Sequence, residues 1–521
     1  MRDQLALLPG YLTAHLQLSL VALAVGCALS VPLGVAVTRR RRLEPGVLGV
    51  ASVIQTIPSL ALLAIMVPIL GVVAAVSERT LGLSVRSIGF LPALVALTLY
   101  SMLPILRNTV TGIAGVDRAL VEAARGVGMT SGQRLRRVEL PLAAPVIVAG
   151  LRTAAVWVVG TATLSTPVGA TSLGNYIFGG LQTRNQSAVL VGCVAAASLA
   201  LGLDQLIRGL ELGLRERRRP LVAGALGALL LLYAWAGIGY AVSRAPAGEE
   251  PVRIGSKTFT EQYILSEVLA GLIRSKTGHP STPLQSLGST VLFDALRQDE
   301  IDLYVDYSGT IWATIMKRET LPENRDAVLE QVGVHLDQEY GVTLVAALGF
   351  ENTYALGMRE SQAEELGVRT IRELRAAAPG LEIGGDYEFF QRPEWAAIRE
   401  TYGLRFKARR SMDSALMYQA VARGEVDVIS AFSTDGRIPA FDIRLLVDDR
   451  GVIPPYDAIV LASPRLARER PEVLEALRGL DGAIDEVTMQ RMNLAVDQDG
   501  RSPADVSRDF LGGHMARPVD R

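Results

Sequence analysis

Apolar residues are not spread evenly along this chain; the long runs are confined to roughly its first 242 positions. Six stretches, near 14–38, 48–76, 88–106, 142–162, 187–207 and 221–242, each supply about the 20 apolar helical residues that a bilayer's hydrocarbon core requires. The last, LVAGALGALLLLYAWAGIGYAV, carries no charge, and soluble core helices are rarely apolar all round for that length. After Ala247-Gly248 the pattern changes. VRIGSKTFTEQYILSEVLAGLI reads as a short strand, a polar turn and an amphipathic helix. EIDLYVDYSG, LEIGGDY and GEVDVISAFSTDG repeat a short apolar strand ending in a polar or aromatic loop, and helical segments such as MDSALMYQAVARG lie between them. This alternation predicts an α/β domain with a largely parallel sheet. Ligands in such folds bind outside the carboxyl ends of strands, where Lys257, Tyr307, Asp386 and Phe432 fall.

Charge sharpens the division. The 521 residues are 49% hydrophobic, too long for one ordinary domain, and the formal net charge of −1 argues against a nucleic-acid partner. Charge is sparse before Pro220 and dense after Glu249. Arginines cluster in alternate loops: Arg39–Arg42 after the first span, Arg107 to Arg137 between the third and fourth, and Arg215 to Arg219 after the fifth. One cytoplasmic side satisfies all three, which puts the N-terminus outside and returns the chain to the outside after Val242. The C-terminal half is thus expected to be extracytoplasmic, beyond a multi-pass domain in the cell membrane and its lipid. MRDQLALLPG, with Asp3 and a long apolar run behind it, is not a typical signal peptide, and we expect it to be retained. Cys27 and Cys193 lie in apolar runs, and the four histidines are scattered, so neither a metal site nor a cofactor is expected. Asp204, near the inner end of the fifth span, is expected to reach the interface or pair with Arg208. The acidic pairs Asp302/Asp306 and Glu425/Asp427 read as solvated strand edges rather than as an enzyme's carboxylates.

Between two apolar runs lies VEAARGVGMTSGQRLRRVELPLAAP, from Val121 to Pro145. Glu122-Ala123-Ala124 opens on helix formers, Gly128 interrupts them, and Thr130 with Gln133 forms a capping box for a second short helix. Pro141 fits the first turn of the next span. The pattern is helix, tight turn, helix, membrane span: a stiff cytoplasmic bracket. Glu122, Ala123, Ala124, Gly128, Val138, Leu140 and Pro141 resemble, in spacing, the EAA loop of ABC-importer permeases, with valine in place of the usual isoleucine. The resemblance implies that this loop docks into a separate cytoplasmic ATPase subunit, and that two copies of the chain form one pathway. GSKT at Gly255–Thr258 lacks the G-K-[ST] of a P-loop, so the chain offers no ATPase of its own.

The C-terminal half, through GSKTFTEQYIL, DLYVDYSGT, FENTYALGMR, STDGRI and PPYDAIVLA, resembles the substrate-binding proteins of glycine betaine, carnitine and choline importers. With the permease half, nearly the whole chain is then a fused permease and binding protein. The implied architecture is an all-α polytopic permease over 1–215, with its EAA loop near 121–141, and a sixth span and linker over 216–250. A two-lobed periplasmic-binding-protein-like domain follows over 251–521. Its lobes are expected at about 252–350 plus 457–521 and at 351–456, joined by a hinge. A quaternary ammonium has no N–H to donate and is held by π faces, which Tyr307, Tyr354, Phe432 and Tyr456 supply beside strand ends. Phe432 stands where the related proteins typically carry tyrosine. A carboxylate on the ligand wants a cation, from Lys257 or Arg392, with the Thr310 hydroxyl as a further donor. Two rival readings are an importer of a polar amino acid or other small cation, and a ligand-sensing membrane receptor.

Overall fold

The computed structural model describes residues 2–81, 86–183, 185–244, 249–285, 287, 289–318 and 325–515. Two compact units result, Met1–Gly180 with Gln186–Gly248, and Leu181–Asn185 with Glu249–Arg521.

The first unit is helical throughout. Its long elements are α1 (Arg2–Arg39), α2 (Glu44–Thr56), α3 (Ser59–Leu81) and α4 (Phe90–Ala114). They continue with α5 (Arg118–Gly126), α6 (Ser131–Arg134), α7 (Leu140–Ala162), α8 (Gly174–Gln182), α9 (Gln186–Arg215) and α10 (Arg219–Arg244). Among the described residues, five helices are long and apolar enough to cross a membrane, or six if α2 and α3 count as one span. That pair departs from the continuous span expected at 48–76: the axis bends by 103° between them. Pro58 explains it, because the residue before a proline is driven out of the helical region, and Ile57 is extended at φ −68°, ψ 129°. The Ile57 carbonyl freed by the break accepts a hydrogen bond from the Tyr100 hydroxyl of α4, as a backbone group at membrane depth requires.

Small residues let the helices approach. A Cβ on Gly26 of α1 would lie 1.9 Å from the Ser101 Oγ of α4, and one on Gly34 would lie 2.7 Å from Thr109 two turns further along. Gly150 of α7 meets the Pro104 carbonyl and Asn108 in the same way. Without a hydrophobic drive between helices in lipid, such close seams supply the packing. Asp204 of α9 accepts from Arg152 Nε of α7 at 2.6 Å, and Glu211 accepts from the same guanidinium at 3.4 Å. The expected partner Arg208 instead donates to Gln205. Sequence distance hid Arg152, which only helix packing brings to Asp204. Helix α10 presents Leu230, Leu231 and Trp235 outward. It is tied to α1 by Gln17 Nε2 donating to the Ala236 carbonyl (2.7 Å) and by the Tyr233 hydroxyl donating to that of Leu20 (3.0 Å).

The second unit holds two five-stranded sheets. The strands are β1 (Val252–Gly255), β2 (Ser281–Leu284), β3 (Leu303–Tyr307), β4 (Thr343–Glu351), β5 (Tyr354–Arg359), β6 (Glu382–Gly385), β7 (Ala408–Ser411), β8 (Val428–Phe432), β9 (Ile443–Leu446) and β10 (Asp457–Ala462). The orders are β2-β1-β3-β10-β4 and β7-β6-β8-β5-β9. The largely parallel sheet that was expected is in fact mixed. β10 runs antiparallel to both neighbours in the first sheet, and β5 does so in the second. The cause is connectivity. Each of these strands follows a direct crossover from the other sheet, β4 into β5 and β9 into β10, with no return helix to restore direction. Helices cover the sheet faces, notably α11 (Thr260–Thr277), whose Ile264, Leu265, Val268, Leu269, Leu272 and Ile273 join Val252, Ile254, Leu303 and Val460 in the core.

Asp302 and Asp306 are not solvated edges: they are 3% and 2% exposed. Asp302 accepts from Arg253 and Arg465, and Asp306 from Lys257 at 2.5 Å. Burial alone would raise Asp302, but the two guanidinium groups outweigh it and hold its carboxyl below the usual range.

Candidate functional site

The mixed sheets converge their ends on one cleft. Parallel strands offer carboxyl ends there: Lys257 follows β1, Tyr307 ends β3, Asp386 follows β6 and Phe432 ends β8. The antiparallel strands offer their amino ends at the same edge, which is why Tyr354 opens β5 and Tyr456 immediately precedes β10. All seven residues singled out from the sequence, Lys257, Tyr307, Thr310, Tyr354, Arg392, Phe432 and Tyr456, line this single cavity of about 180 Å³.

Five rings form a continuous arc. Tyr307 and Phe259 lie 6.2 Å apart between centroids, Phe259 and Phe432 6.1 Å, Phe432 and Tyr354 4.9 Å, and Tyr354 and Tyr456 5.9 Å. Burial, assisted at Tyr307 by the Glu261 carboxylate, pushes the phenols of Tyr307, Tyr354 and Tyr456 well above their ordinary value, so the rings stay neutral. Tyr456 is held by the loop after β3. Gly309 leaves room, since a Cβ there would lie 2.8 Å from the Pro455 carbonyl and 2.9 Å from the Tyr456 ring. Ser308 Oγ donates to the Pro455 carbonyl at 3.0 Å and accepts from Asp457 N at 2.9 Å, and the Tyr456 hydroxyl donates to Glu394.

The two cations differ. Lys257 is buried, ion-paired with Asp306 and 5.4 Å from the Tyr307 ring centroid. Arg392 Nη2 donates to Glu388 at 2.9 Å, while its buried Nε and Nη1 make no hydrogen bond among the described residues. Its guanidinium lies 5.2 Å from the Tyr354 centroid. Nη1 also lies 3.9 Å from the buried Glu394 carboxylate, an ion pair without a hydrogen bond, so of the two cations Arg392 is the one with N–H groups not yet hydrogen-bonded among the described residues.

Sequence reasoning missed Phe259, Asn352, Tyr387 and Ser414, which also line the cavity. Phe259 stood two residues past Lys257 in the turn already singled out, and that was its signal. Glu261 gave none. It is fully buried, and all four of its acceptor positions are filled: Oε1 by the Tyr307 hydroxyl (2.5 Å) and Asn352 (2.9 Å), Oε2 by Thr434 (2.5 Å) and Asn493 (3.2 Å). Burial pushes its carboxyl above the ordinary range, and these four donors oppose that shift. Through it Tyr307 is tied to Asn352, Thr434 and Asn493.

The second cluster lies in the membrane unit. Helix α5 carries Glu122 and Ala123 on its exposed side and buries Ala124. Asp117 caps it, accepting from Ala119 N at 2.9 Å. Gly128 sits at φ +79°, a conformation that favours glycine. The capping box is formed: Gln133 N donates to Thr130 Oγ1 at 3.3 Å, and Thr130 N to Gln133 Oε1 at 2.9 Å. Helix α6 then runs through a π-helical turn, Leu135–Glu139, into α7, where Leu140 and Pro141 stand. The second short helix and the span thus run on as one rod rather than two elements, and Pro141, inside that rod, withholds an N–H from a carbonyl of the π-helical turn before it. Buried Glu139 binds Arg134 Nε at 2.8 Å and also Arg39 at the end of α1, fastening the bracket to the helix bundle.

Helices of membrane-spanning length, and a cleft lined from two α/β sheets, are the two parts of a binding-protein-dependent transporter. Residues 30–216 match the family described as the binding-protein-dependent transport system inner membrane component. Residues 250–513, half the chain, match the substrate binding domain of the ABC-type glycine betaine transport system. The chain belongs to that transport family: it is a multi-pass inner-membrane permease fused to its own substrate-binding domain. It is 29% identical over 479 residues to an ergothioneine transport permease/ergothioneine binding protein of Helicobacter pylori (strain G27), covering 89% of this chain and 82% of that one. A choline transport system permease protein of Bacillus subtilis (strain 168) is 44% identical over 193 residues, 37% of this chain and 82% of that protein. A glycine-betaine-binding protein of Pseudomonas aeruginosa is 33% identical over 281 residues, 51% of this chain and 89% of that protein.

Proposed function

We propose that this chain imports a quaternary amine of the class that includes glycine betaine, proline betaine, carnitine, choline and ergothioneine. One observation carries the reading: an arc of five neutral rings and an arginine with N–H groups not hydrogen-bonded among the described residues line the same cavity. A trimethylammonium group lies against the arc, where each desolvated cation–π contact contributes about 2 kcal/mol. The ligand carboxylate takes the Arg392 N–H groups, with Lys257 and Thr310 beside it.

In this reading the C-terminal domain is extracytoplasmic, closes its lobes on the ligand and delivers it to a cavity between two copies of the permease. Glu122, Ala123, Ala124, Gly128, Leu140 and Pro141 seat a separate cytoplasmic ATPase subunit, whose hydrolysis reverses the cavity. Helix α10 is a tether, outside the pathway. Calorimetry on the detergent-solubilised full chain tests the ligand class: glycine betaine, choline or carnitine should bind, and free glycine or arginine should not. Binding of the amino acids in preference to every methylated amine would overturn it.

A further inference from the structure

The two oxygens of Asp386 are used unequally. Oδ1 accepts from the backbone N–H of Glu388 at 2.7 Å and of Phe389 at 2.9 Å, capping the short turn that leads to Arg392. Oδ2 is buried and has no hydrogen-bond partner among the described residues. The residue is only 8% exposed, and it lines the same cavity as the aromatic arc and Arg392. Native structures rarely leave a buried carboxylate oxygen without a partner, and each such atom calls for an explanation. A plain trimethylammonium carboxylate does not supply one. Its carboxylate satisfies Arg392 and its methyl groups satisfy the rings, but carbon-bound hydrogens are weak donors to a carboxylate.

We propose that Asp386 is a specificity-determining residue that accepts a hydrogen bond from an O–H or N–H on the ligand, so that the cleft selects a betaine carrying such a donor over one that lacks it. This rests on the quaternary-amine reading above and adds to it a third anchor, opposite in polarity to Arg392. A site built to hydrogen-bond a ligand group discriminates strongly against the analogue without that group, because its own buried polar atom is then left unpaired. The alternative role, a turn cap whose second oxygen is idle, makes a different prediction, since asparagine caps such turns as well as aspartate does.

Asp386→Asn separates the two. The amide oxygen keeps the cap, and the second, buried atom changes from acceptor to donor. The measurement is equilibrium binding to the full-length chain in detergent, with three probes: glycine betaine, which has no O–H or N–H donor; carnitine, which adds a hydroxyl; and ergothioneine, which adds a ring N–H. The wild-type chain should bind carnitine or ergothioneine at least roughly tenfold more tightly than glycine betaine. Asp386→Asn should erase that preference while changing glycine betaine by less than about threefold. Equal loss for all three probes would mean that Asp386 acts on the ammonium by charge, and no change would leave it a cap; either result overturns the inference. If the variant does not fold, the wild-type ranking still decides. Betaines binding without any ranking would sink this inference alone, whereas failure of every betaine to bind would sink the quaternary-amine reading and this inference with it.

Discussion

Arg392 and Phe432 make the most direct predictions about single side chains. Arg392→Ala removes the guanidinium N–H groups, and a lost charge-assisted bond costs roughly 1.5–3 kcal/mol. Glycine betaine should therefore weaken about tenfold or more in binding calorimetry. Choline, with a hydroxyl in place of the carboxylate, should weaken less, and equal losses would make Arg392 structural. Phe432 lies 6.1 Å from Phe259 at an interplanar angle of 4°, and 4.9 Å from Tyr354. Phe432→Tyr keeps the π face, so affinity should change by less than about tenfold. Phe432→Ala should weaken binding much more, and a folded alanine variant with unchanged affinity would remove that ring from the cage. Phe432 was legible because it stands where a short apolar strand ends, and Arg392 because it is a lone cation in the turn that follows another. The charges were less so. Nothing local marks Asp306 as the partner of Lys257, or says that Glu261 gathers four donors, because those pairings are made by packing between segments distant in sequence.

Among the elements, the bracket before α7 depends most on backbone geometry. Gly128 has open space where a Cβ would go but lies at φ +79°, so Gly128→Ala should cost about 1–2 kcal/mol of local strain. Uptake should fall while ligand affinity in calorimetry stays as it was; a variant with normal transport would show that the turn tolerates alanine. His279, in the turn between α11 and β2, bridges Glu249 at 2.7 Å and Glu472 at 2.8 Å. The hydrogen bonds to these carboxylates raise its pKa above the usual value of about 6.5. A raised folded-state pKa stabilises fully below the unfolded value and is lost as pH rises through the folded one. The thermal midpoint of the binding domain should therefore fall as pH rises above about 6.5, and His279→Gln should flatten that dependence. At this scale the capping box was readable from Thr130 and Gln133. The break between α2 and α3 was signalled by Pro58 but concealed by an apolar run on both sides, and strand direction left no mark, since alternation of apolar residues is the same either way along the chain.

For the molecule as a whole, the division of labour between the two units is itself testable. Glu122 is exposed on α5, away from any ligand residue in sequence and in fold unit. Glu122→Lys should abolish uptake and co-purification of the ATPase subunit, while glycine betaine still binds the full chain with its original affinity. Undiminished association and transport would sink the coupling assignment. The split between membrane and α/β halves, and the transport family, were legible from apolar run length, arginine placement and a few short motifs.

The two direct crossovers between the sheets have a mechanical meaning. Tyr354 and Tyr456 stand at the ends of the segments that join the two sheets, and Phe432 is the ladder partner of Tyr354, so in the proposed cage three walls are mounted on or beside the axle, while Lys257 rides on a jaw. In the proposed closure a ligand would meet the axle walls in nearly their final places and wait only for the jaws. Grip and swing are then inseparable at Tyr354 and Tyr456: any substitution there retunes the hinge along with the affinity. Selection for a new cargo would find freer ground at Asp386, which follows β6 and lies on neither crossover, where the grip can change and the swing stays as it was.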